Sequence, residues 1–382
     1  MPGIYVHIPF CKQACHYCDF HFSVSLQKKD AFIGALQQEI RLQRDYFQTP
    51  ADPSNPSPLV STIYFGGGTP SLLSSGEIKN ILDEIRKNYS VSADAEITLE
   101  ANPDDLTKEK LKSLKDAGIN RLSIGIQSFS DEDLLFMNRV HDSKMAYDSI
   151  KAAQDAGFSN ITIDFIYGTP TLSDKQWILN LQTAFELGIP HLSCYSLTVE
   201  PQTALAQFIK KGTVPALDEA KSAAQFELLM QITADHGYEQ YEISNFAKNN
   251  MYSLHNSNYW RNEKYLGLGP SAHSYNGMSR QWNVASNTVY IDALHQHKIP
   301  FEKEELTIAQ QYNEYILTSL RTMWGIRPEV MNNRFGEDFT TYFIQLAGGF
   351  IDKEWMDKNN GAYLLTKQGK LFADRISAEL FR

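Results

Sequence analysis

The tightest constraint on the fold of this 382-residue chain is the alternation of short apolar runs with helical stretches in its N-terminal half. The apolar runs lie at Ile4–Ile8, Val60–Phe65, Ala95–Glu100, Arg121–Gly125, Ile161–Ile166 and His191–Leu197. Their near-continuous apolar character suits strands buried on both faces, as in parallel sheets covered by helices. Several intervening helical stretches close on glycine, in Asp116-Ala117-Gly118, Asp155-Ala156-Gly157 and Glu186-Leu187-Gly188. Glycine takes the left-handed conformation of a helix C-terminal cap without strain. Repeated strand–helix units imply parallel strands joined by right-handed crossovers. Six such units are too few to close an eight-unit barrel, so the pattern predicts an α/β fold built on a partial (β/α)6 barrel.

The pattern changes after residue 215, to helices with aromatic-rich loops. Three regions are therefore expected: the barrel at 1–215, a connecting region at 216–305, and a smaller, mainly helical C-terminal domain at 306–382. Helices are predicted over Tyr312–Trp324 and Pro328–Phe335, and the segment from Gly361 to the C-terminus resembles a small winged-helix-like unit. Pro50, Pro53, Pro56 and Pro58 predict one surface loop between the first helix and the second strand.

The chemistry of the chain concentrates in Cys11-Lys12-Gln13-Ala14-Cys15-His16-Tyr17-Cys18, directly after the first apolar strand. The C-x3-C-x2-C spacing brings three thiolates onto one loop. Four thiolates would complete a zinc site or the usual iron–sulfur cluster; three leave one iron open to an exogenous ligand. Zinc held with His7, His16 or His21 as a fourth ligand is the alternative, although no second ligand pair follows further along the chain. The fourth cysteine, Cys194, sits in an apparent buried strand and reads as core packing.

Composition narrows the classes. A net charge of -10 disfavours a non-specific nucleic-acid binder. Four cysteines, three of them in one loop, do not form a disulfide framework and suggest a reducing compartment. The N-terminus lacks a signal-peptide pattern, and no stretch approaches the roughly 20 apolar residues of a membrane span. The expectation is a soluble, cytoplasmic protein.

In parallel α/β barrels ligands sit at the C-terminal ends of strands, where this chain repeatedly places polar residues. The cysteine loop follows the first strand and Gly66-Gly67-Gly68-Thr69-Pro70 the second. Glu100 ends the third, Gln127-Ser128-Phe129 follows the fourth, and Asp164 lies in the fifth, ahead of Gly168-Thr169-Pro170. A glycine run is useful where a ligand approaches backbone that a β-carbon would block. Each feature alone is ordinary; their common depth in the barrel points to a ligand.

Together these motifs resemble the radical S-adenosylmethionine (SAM) superfamily. More narrowly, Ile4–Cys11, Gly66–Pro70, Ser123–Phe129 and Asp164–Gly168 resemble the oxygen-independent coproporphyrinogen III oxidase family, over most of the chain. The resemblance implies a 4Fe–4S cluster on Cys11, Cys15 and Cys18, with SAM on the fourth iron and cleaved to a 5′-deoxyadenosyl radical. It further implies that Tyr5 and Tyr17 line the cluster and adenine, and that Gly67, Gly68 and Thr69 hold the methionine moiety. Glu100, Gln127, Arg139 and Asp164 would supply polar contacts, Arg139 suiting a carboxylate as a bidentate donor. An electron donor such as flavodoxin or ferredoxin would be a partner.

Two features depart from the oxidase. Phe20 stands where the oxidase has a further cysteine, and the oxidase's N-terminal extension has no expected counterpart ahead of Cys11. Both match the related HemW group, described as haem chaperones. The segment His255-Asn256-Ser257-Asn258-Tyr259-Trp260 matches that group's H-N-x-x-Y-W motif, associated with haem. This makes His255 the candidate haem ligand, with His273 its rival, since neutral imidazole is a common axial ligand of haem iron. The resemblance thus implies haem or a related tetrapyrrole, haem-acceptor proteins, and a homodimer as an option. Oxidative decarboxylation of coproporphyrinogen III is the alternative activity.

Overall fold

The computed structural model describes residues 1–48 and 58–382, so the loop expected at Pro50, Pro53 and Pro56 lies outside the described residues. Strands β1 (Gly3–Ile8), β2 (Val60–Gly67), β3 (Val91–Ala101), β4 (Arg121–Gln127), β5 (Ile161–Tyr167) and β6 (His191–Ser196) follow one another across a sheet. Each pairs in parallel with the next. The crossovers carry α1 (Lys29–Leu42), α2 (Ser75–Asn88), α3 (Lys108–Asp116), α4 (Asp131–Phe136), α5 (Ser143–Asp155) and α6 (Asp174–Glu186).

Local chemistry sets these boundaries. Ser74 and Glu77 form a reciprocal capping box on α2, and Thr107, Asp142 and Ser173 cap α3, α5 and α6 through side-chain oxygens. The expected glycine closures are present: Gly118, Gly157 and Gly188 have φ of 104°, 84° and 66°. After each, the next residue's N–H reaches back over the last turn, as from Ile119 to the Leu114 carbonyl at 3.1 Å.

The strands are buried on both faces, yet the two faces differ. Ile4, Val6, Ile63, Phe65, Leu99, Leu122, Ile163 and Leu192 pack under the helices in the main core. The alternate positions Tyr5, Tyr64, Glu100, Ser123, Asp164 and Ser193 line a cavity on the inner face. The period-two alternation of a strand therefore separates an apolar outer face from a polar lumen.

Beyond β6 come α7 (Ala204–Lys210) and α8 (Glu219–Asp235), then more strand than the sequence pattern predicts. The short strands β7 (Glu239–Gln240) and β8 (Asn245–Ala247) extend the sheet past β6, where β8 pairs antiparallel. After α9 (Leu254–Trp260), β9 (Tyr265–Leu268) runs parallel to β1 and opens an antiparallel run. That run continues through β10 (His273–Tyr275), β11 (Ser279–Asn283) and β12 (Phe301–Glu305), with α10 (Asn287–His295) between the last two. Strands of two to five residues are too short for periodicity to register.

A second core gathers α11 (Ile308–Leu320), α12 (Pro328–Phe335) and α13 (Glu337–Ile351) around Tyr312, Ile316, Met331, Phe343 and Ala347. The hairpin β13 (Met356–Asn359) and β14 (Ala362–Leu365), then α14 (Lys367–Lys370) and α15 (Ala373–Leu380), complete it. The helix expected over Tyr312–Trp324 begins earlier, at Ile308, behind a Thr307–Gln310 capping box, and ends earlier, at Leu320. The helix at Pro328–Phe335 matches its expected span. Among the described residues no helix is long and apolar enough to cross a membrane.

Candidate functional site

The loop after β1 is held from several sides by backbone groups. Cys11 N–H donates to the Ser23 carbonyl at 3.0 Å, and Ser23 N–H returns a bond to Pro9 at 2.9 Å. The far side of the loop docks on the end of α4: Asn138 Nδ2 donates to the Ala14 carbonyl at 2.8 Å, and His16 Nδ1 bonds the Phe136 carbonyl at 2.9 Å. Cys11, Cys15 and Cys18 are half-buried free thiols. Desolvation pushes the Cys18 thiol up to about 11 and raises the Cys11 thiol too.

Next to it, the β2 strand end is built around close backbone approach. Gly68 N–H donates to the Ile8 carbonyl at 2.8 Å and Thr69 N–H to Phe10 at 2.6 Å. A β-carbon on Gly68 would lie 2.6 Å from the Phe10 carbonyl oxygen. Gly67, at φ 103°, directs its N–H to Glu100 Oε2 at 3.2 Å. Glu100 also accepts from Tyr64 Oη at 2.8 Å. Burial, moderated by that bond and added to by the neighbouring Asp164 charge, raises the Glu100 carboxyl to about 8. Asp164 rises to about 6, again through burial, despite hydrogen bonds from Ser193 and Ser123.

Two residues carry visible constraint. Gln127 is 8% exposed and holds φ of 64°, a region a non-glycine residue adopts only when its surroundings impose it. The β4–β5 register shifts between Ile124 and Gln127, an irregularity that re-aims a strand-end side chain. Arg139 spans three groups: Nη1 donates to Cys15 Sγ at 3.3 Å, and Nη2 to Asn102 Oδ1 at 2.7 Å and the Gly125 carbonyl at 2.8 Å. Its Nε is buried with no partner among the described residues.

One cavity of about 550 Å³ collects every residue expected at the site. Tyr5, Cys11, Cys15, Tyr17, Cys18, Gly67, Gly68, Thr69, Glu100, Gln127, Arg139, Asp164 and His255 all line it. Sequence reasoning missed Tyr64, Asn102, Arg121, Ser123, His191, Ser193, Tyr195 and Asn245, which line it too. Asn102, two residues after Glu100, was legible as a strand-end amide; a charged Arg121 inside an apolar run was a signal as well.

The donor set fits an iron–sulfur cluster better than a zinc ion. Among the described residues no three His, Cys, Asp or Glu side chains converge as one ion requires. Thiolates of a cluster each take a separate iron, so they surround one cavity without meeting at a single ion. Of the histidines offered as a zinc ligand, His7 bonds Tyr5 Oη and the His21 carbonyl, His16 Nδ1 bonds the Phe136 carbonyl, and His21 Nε2 bonds Asn287 Oδ1. The cavity also leaves one buried guanidinium group, Arg139 Nε, without a partner among the described residues, a donor that suits a carboxylate.

His255 is interior. Glu96 caps α9 by accepting from the N–H groups of Leu254 and His255 at 3.1 and 3.0 Å. The imidazole is 3% exposed and stacks on Tyr64 with ring centroids 5.0 Å apart. Its Nδ1 bonds Thr62 Oγ1 at 2.8 Å and its Nε2 bonds Tyr259 Oη at 2.9 Å. Burial, then the Arg121 charge, lowers it to about 3, so it is neutral with both nitrogens engaged.

An open α/β barrel with three cysteines at the first strand end and a glycine cradle at the second defines a class, the radical SAM proteins. The Radical SAM superfamily profile matches residues 5–184. The chain is 38% identical to "Heme chaperone HemW" of Bacillus subtilis (strain 168), covering 98% of both chains. It is also 38% identical to "Heme chaperone HemW" of Escherichia coli (strain K12), over 71% of this chain and 69% of that one. Among solved structures, the coproporphyrinogen III oxidase HemN from Escherichia coli, a radical SAM enzyme, matches with a TM-score of 0.85. That match covers 100% of this chain and 90% of the other at 24% identity, a likeness of fold. The chain belongs to the HemW family of radical SAM proteins.

Proposed function

We propose that the protein is a haem chaperone that binds haem for transfer to acceptor proteins and carries a 4Fe–4S cluster with exchangeable SAM. The observation that carries the cluster reading is the convergence of three free thiols, the glycine cradle and four polar strand-end side chains on one cavity. Cys11, Cys15 and Cys18 hold three irons, and the cluster, when bound, supplies one-electron chemistry to SAM. Arg139 fixes the Cys15 sulfur and keeps its Nε unpartnered among the described residues, available to a ligand carboxylate. The missing β-carbon of Gly68 lets the β2 end close onto the Ile8 and Phe10 backbone, which sets Gly67, Gly68 and Thr69 beside the cysteine loop, where they would hold the methionine moiety. Glu100 and Asp164, both raised by burial, become anionic when a cationic ligand enters, since an opposite charge favours their ionised form. Support for haem comes from the names of the relatives and from the H-N-x-x-Y-W segment beside the cluster cavity. A reduced flavodoxin or ferredoxin is the partner such a cluster needs, and the cytoplasm the compartment that keeps these thiols reduced.

Decarboxylation of coproporphyrinogen III is the second reading, favoured by the near-complete SAM-contact set. Anaerobic incubation of reconstituted protein with SAM, a strong reductant and coproporphyrinogen III separates the two. No decarboxylated tetrapyrrole, with hemin bound by the same preparation, is the expected result. Product at several turnovers per protein would replace the chaperone reading with the oxidase one.

A further inference from the structure

A second cavity, of about 530 Å³, adjoins the cluster cavity. Tyr5, Asp19, Phe20 and Tyr259 line both and form the common wall. Behind that wall lie Trp260, Tyr265 and Tyr275, with His273 and Arg280. The H-N-x-x-Y-W helix therefore serves two spaces: His255 and Asn256 line the first, Trp260 the second, and Tyr259 both.

The chemistry of the second cavity differs from that of the first. His273 is exposed, and its ring lies over Trp282 with centroids 6.1 Å apart. Neither ring nitrogen has a hydrogen-bond partner among the described residues, the reverse of His255. Desolvation and the Arg280 charge lower its basicity, which keeps the imidazole in the neutral form that ligates iron. The turn that leads from β9 to it is built to present it: Gly267 of β9 admits the His273 carbonyl where a β-carbon would clash. Ser271 in the same turn, also in the cavity wall, holds a φ of 64°. Trp260 Nε1 is buried without a partner among the described residues. Arg280, ion-paired to Glu314, keeps guanidinium N–H groups in hand beyond that pair.

We propose that this second cavity is the haem site, with His273 as the iron ligand, Trp260 and Tyr265 against the macrocycle, and Arg280 on a propionate. The inference rests on the haem-chaperone reading and deepens it by placing the cargo. A planar anionic macrocycle needs flat aromatic walls, an available imidazole and a cation, and this cavity supplies all three. His21 lines it too, with its Nε2 bonded to Asn287 Oδ1 at 2.8 Å, whereas both His273 nitrogens are free among the described residues. Phe20, 66% exposed at the position of the oxidase's further cysteine, forms an apolar lip between haem and cluster. His255 then acts as a positioning residue that pins α9 to β2 through Thr62.

The test titrates hemin, and separately metal-free protoporphyrin IX, into cluster-reconstituted protein. Soret spectra and tryptophan fluorescence quenching are read for wild type, His273→Ala, His255→Ala and His21→Ala. His273→Ala is expected to lose the ligated Soret band and about tenfold or more in hemin affinity, because a metal ligand is gone. Added imidazole should restore the band. The same variant should bind metal-free protoporphyrin IX as wild type does, which separates ligation from packing. A wild-type protein that binds no hemin would fail the haem-chaperone reading and the inference with it. Wild-type binding with an unaltered spectrum in His273→Ala would overturn the inference alone, as would loss of the band in His255→Ala or His21→Ala with His273→Ala intact.

Discussion

At the scale of single residues, the chain places ionisable groups where burial governs them. Glu39 is wholly buried in α1 and accepts from Tyr290 Oη, from Asn283 Nδ2 at 2.6 Å and from Gly269 N–H at 2.8 Å. Burial outweighs these bonds and raises the carboxyl from 4.5 to about 7. A folded value above the unfolded one means a stabilising contribution fully present below 4.5 and lost as pH rises through about 7. The stability gap between wild type and Glu39→Gln should therefore move against wild type across that window, by on the order of 3 kcal/mol. Urea unfolding of both proteins at acid and mildly alkaline pH measures it; parallel pH profiles would remove Glu39 as the titrating group. Residues of this sort, like the interior Arg121, were only partly legible, because a charge inside an apolar run does not announce its partner. The cluster-loop cysteines were fully legible, because three thiols at fixed spacing need no tertiary context to be noticed.

At the scale of elements, the site depends on strand ends that meet backbone to backbone. The β2 terminus crosses the loop after β1 so closely that the Ile8 and Phe10 carbonyls accept from Gly68 and Thr69. Gly68→Ala would push a methyl to 2.6 and 2.8 Å from those two carbonyl oxygens, which are backbone and cannot turn away. The expected outcome is a loss of about 1–3 kcal/mol from overpacking, with weaker SAM binding while the three thiols still take up iron. Thermal unfolding and equilibrium dialysis with SAM check both parts; unchanged affinity would remove the β2 end from the methionine cradle. The six parallel strands and the helix-closing glycines were legible, since each is a local signal repeated along the chain. The strands from β7 to β12 were not, because so few residues each leave pairing to be decided by distant partners. The polar lumen was half-legible: strand-end residues stood out, but alternation within apolar runs hid Ser123 and Ser193.

At the scale of the whole molecule, two cores are joined along a seam of polar and aromatic contacts. Met323 N–H donates to the Tyr241 carbonyl at 3.0 Å, and the Arg261 guanidinium lies 4.2 Å from the Trp324 ring centre. Residues gathered around Phe343 belong to the second core, while the cluster cavity is built on the first. We propose that residues 306–382 fold as a unit against the barrel. Phe343, fully buried and packed edge-on to Tyr363 at 5.0 Å, is the place to test this. Phe343→Ala should cost about 3–5 kcal/mol, through lost transfer energy and the cavity left behind. If the two cores unfold separately, that cost appears in one transition, and the iron–sulfur absorbance persists through it. Calorimetry followed in parallel by cluster absorbance reads both. A single transition lowered together with loss of the cluster would join the cores into one cooperative unit. The C-terminal helices would then support the second cavity, which Glu314 and Thr318 of α11 help to line, as directly as the barrel does.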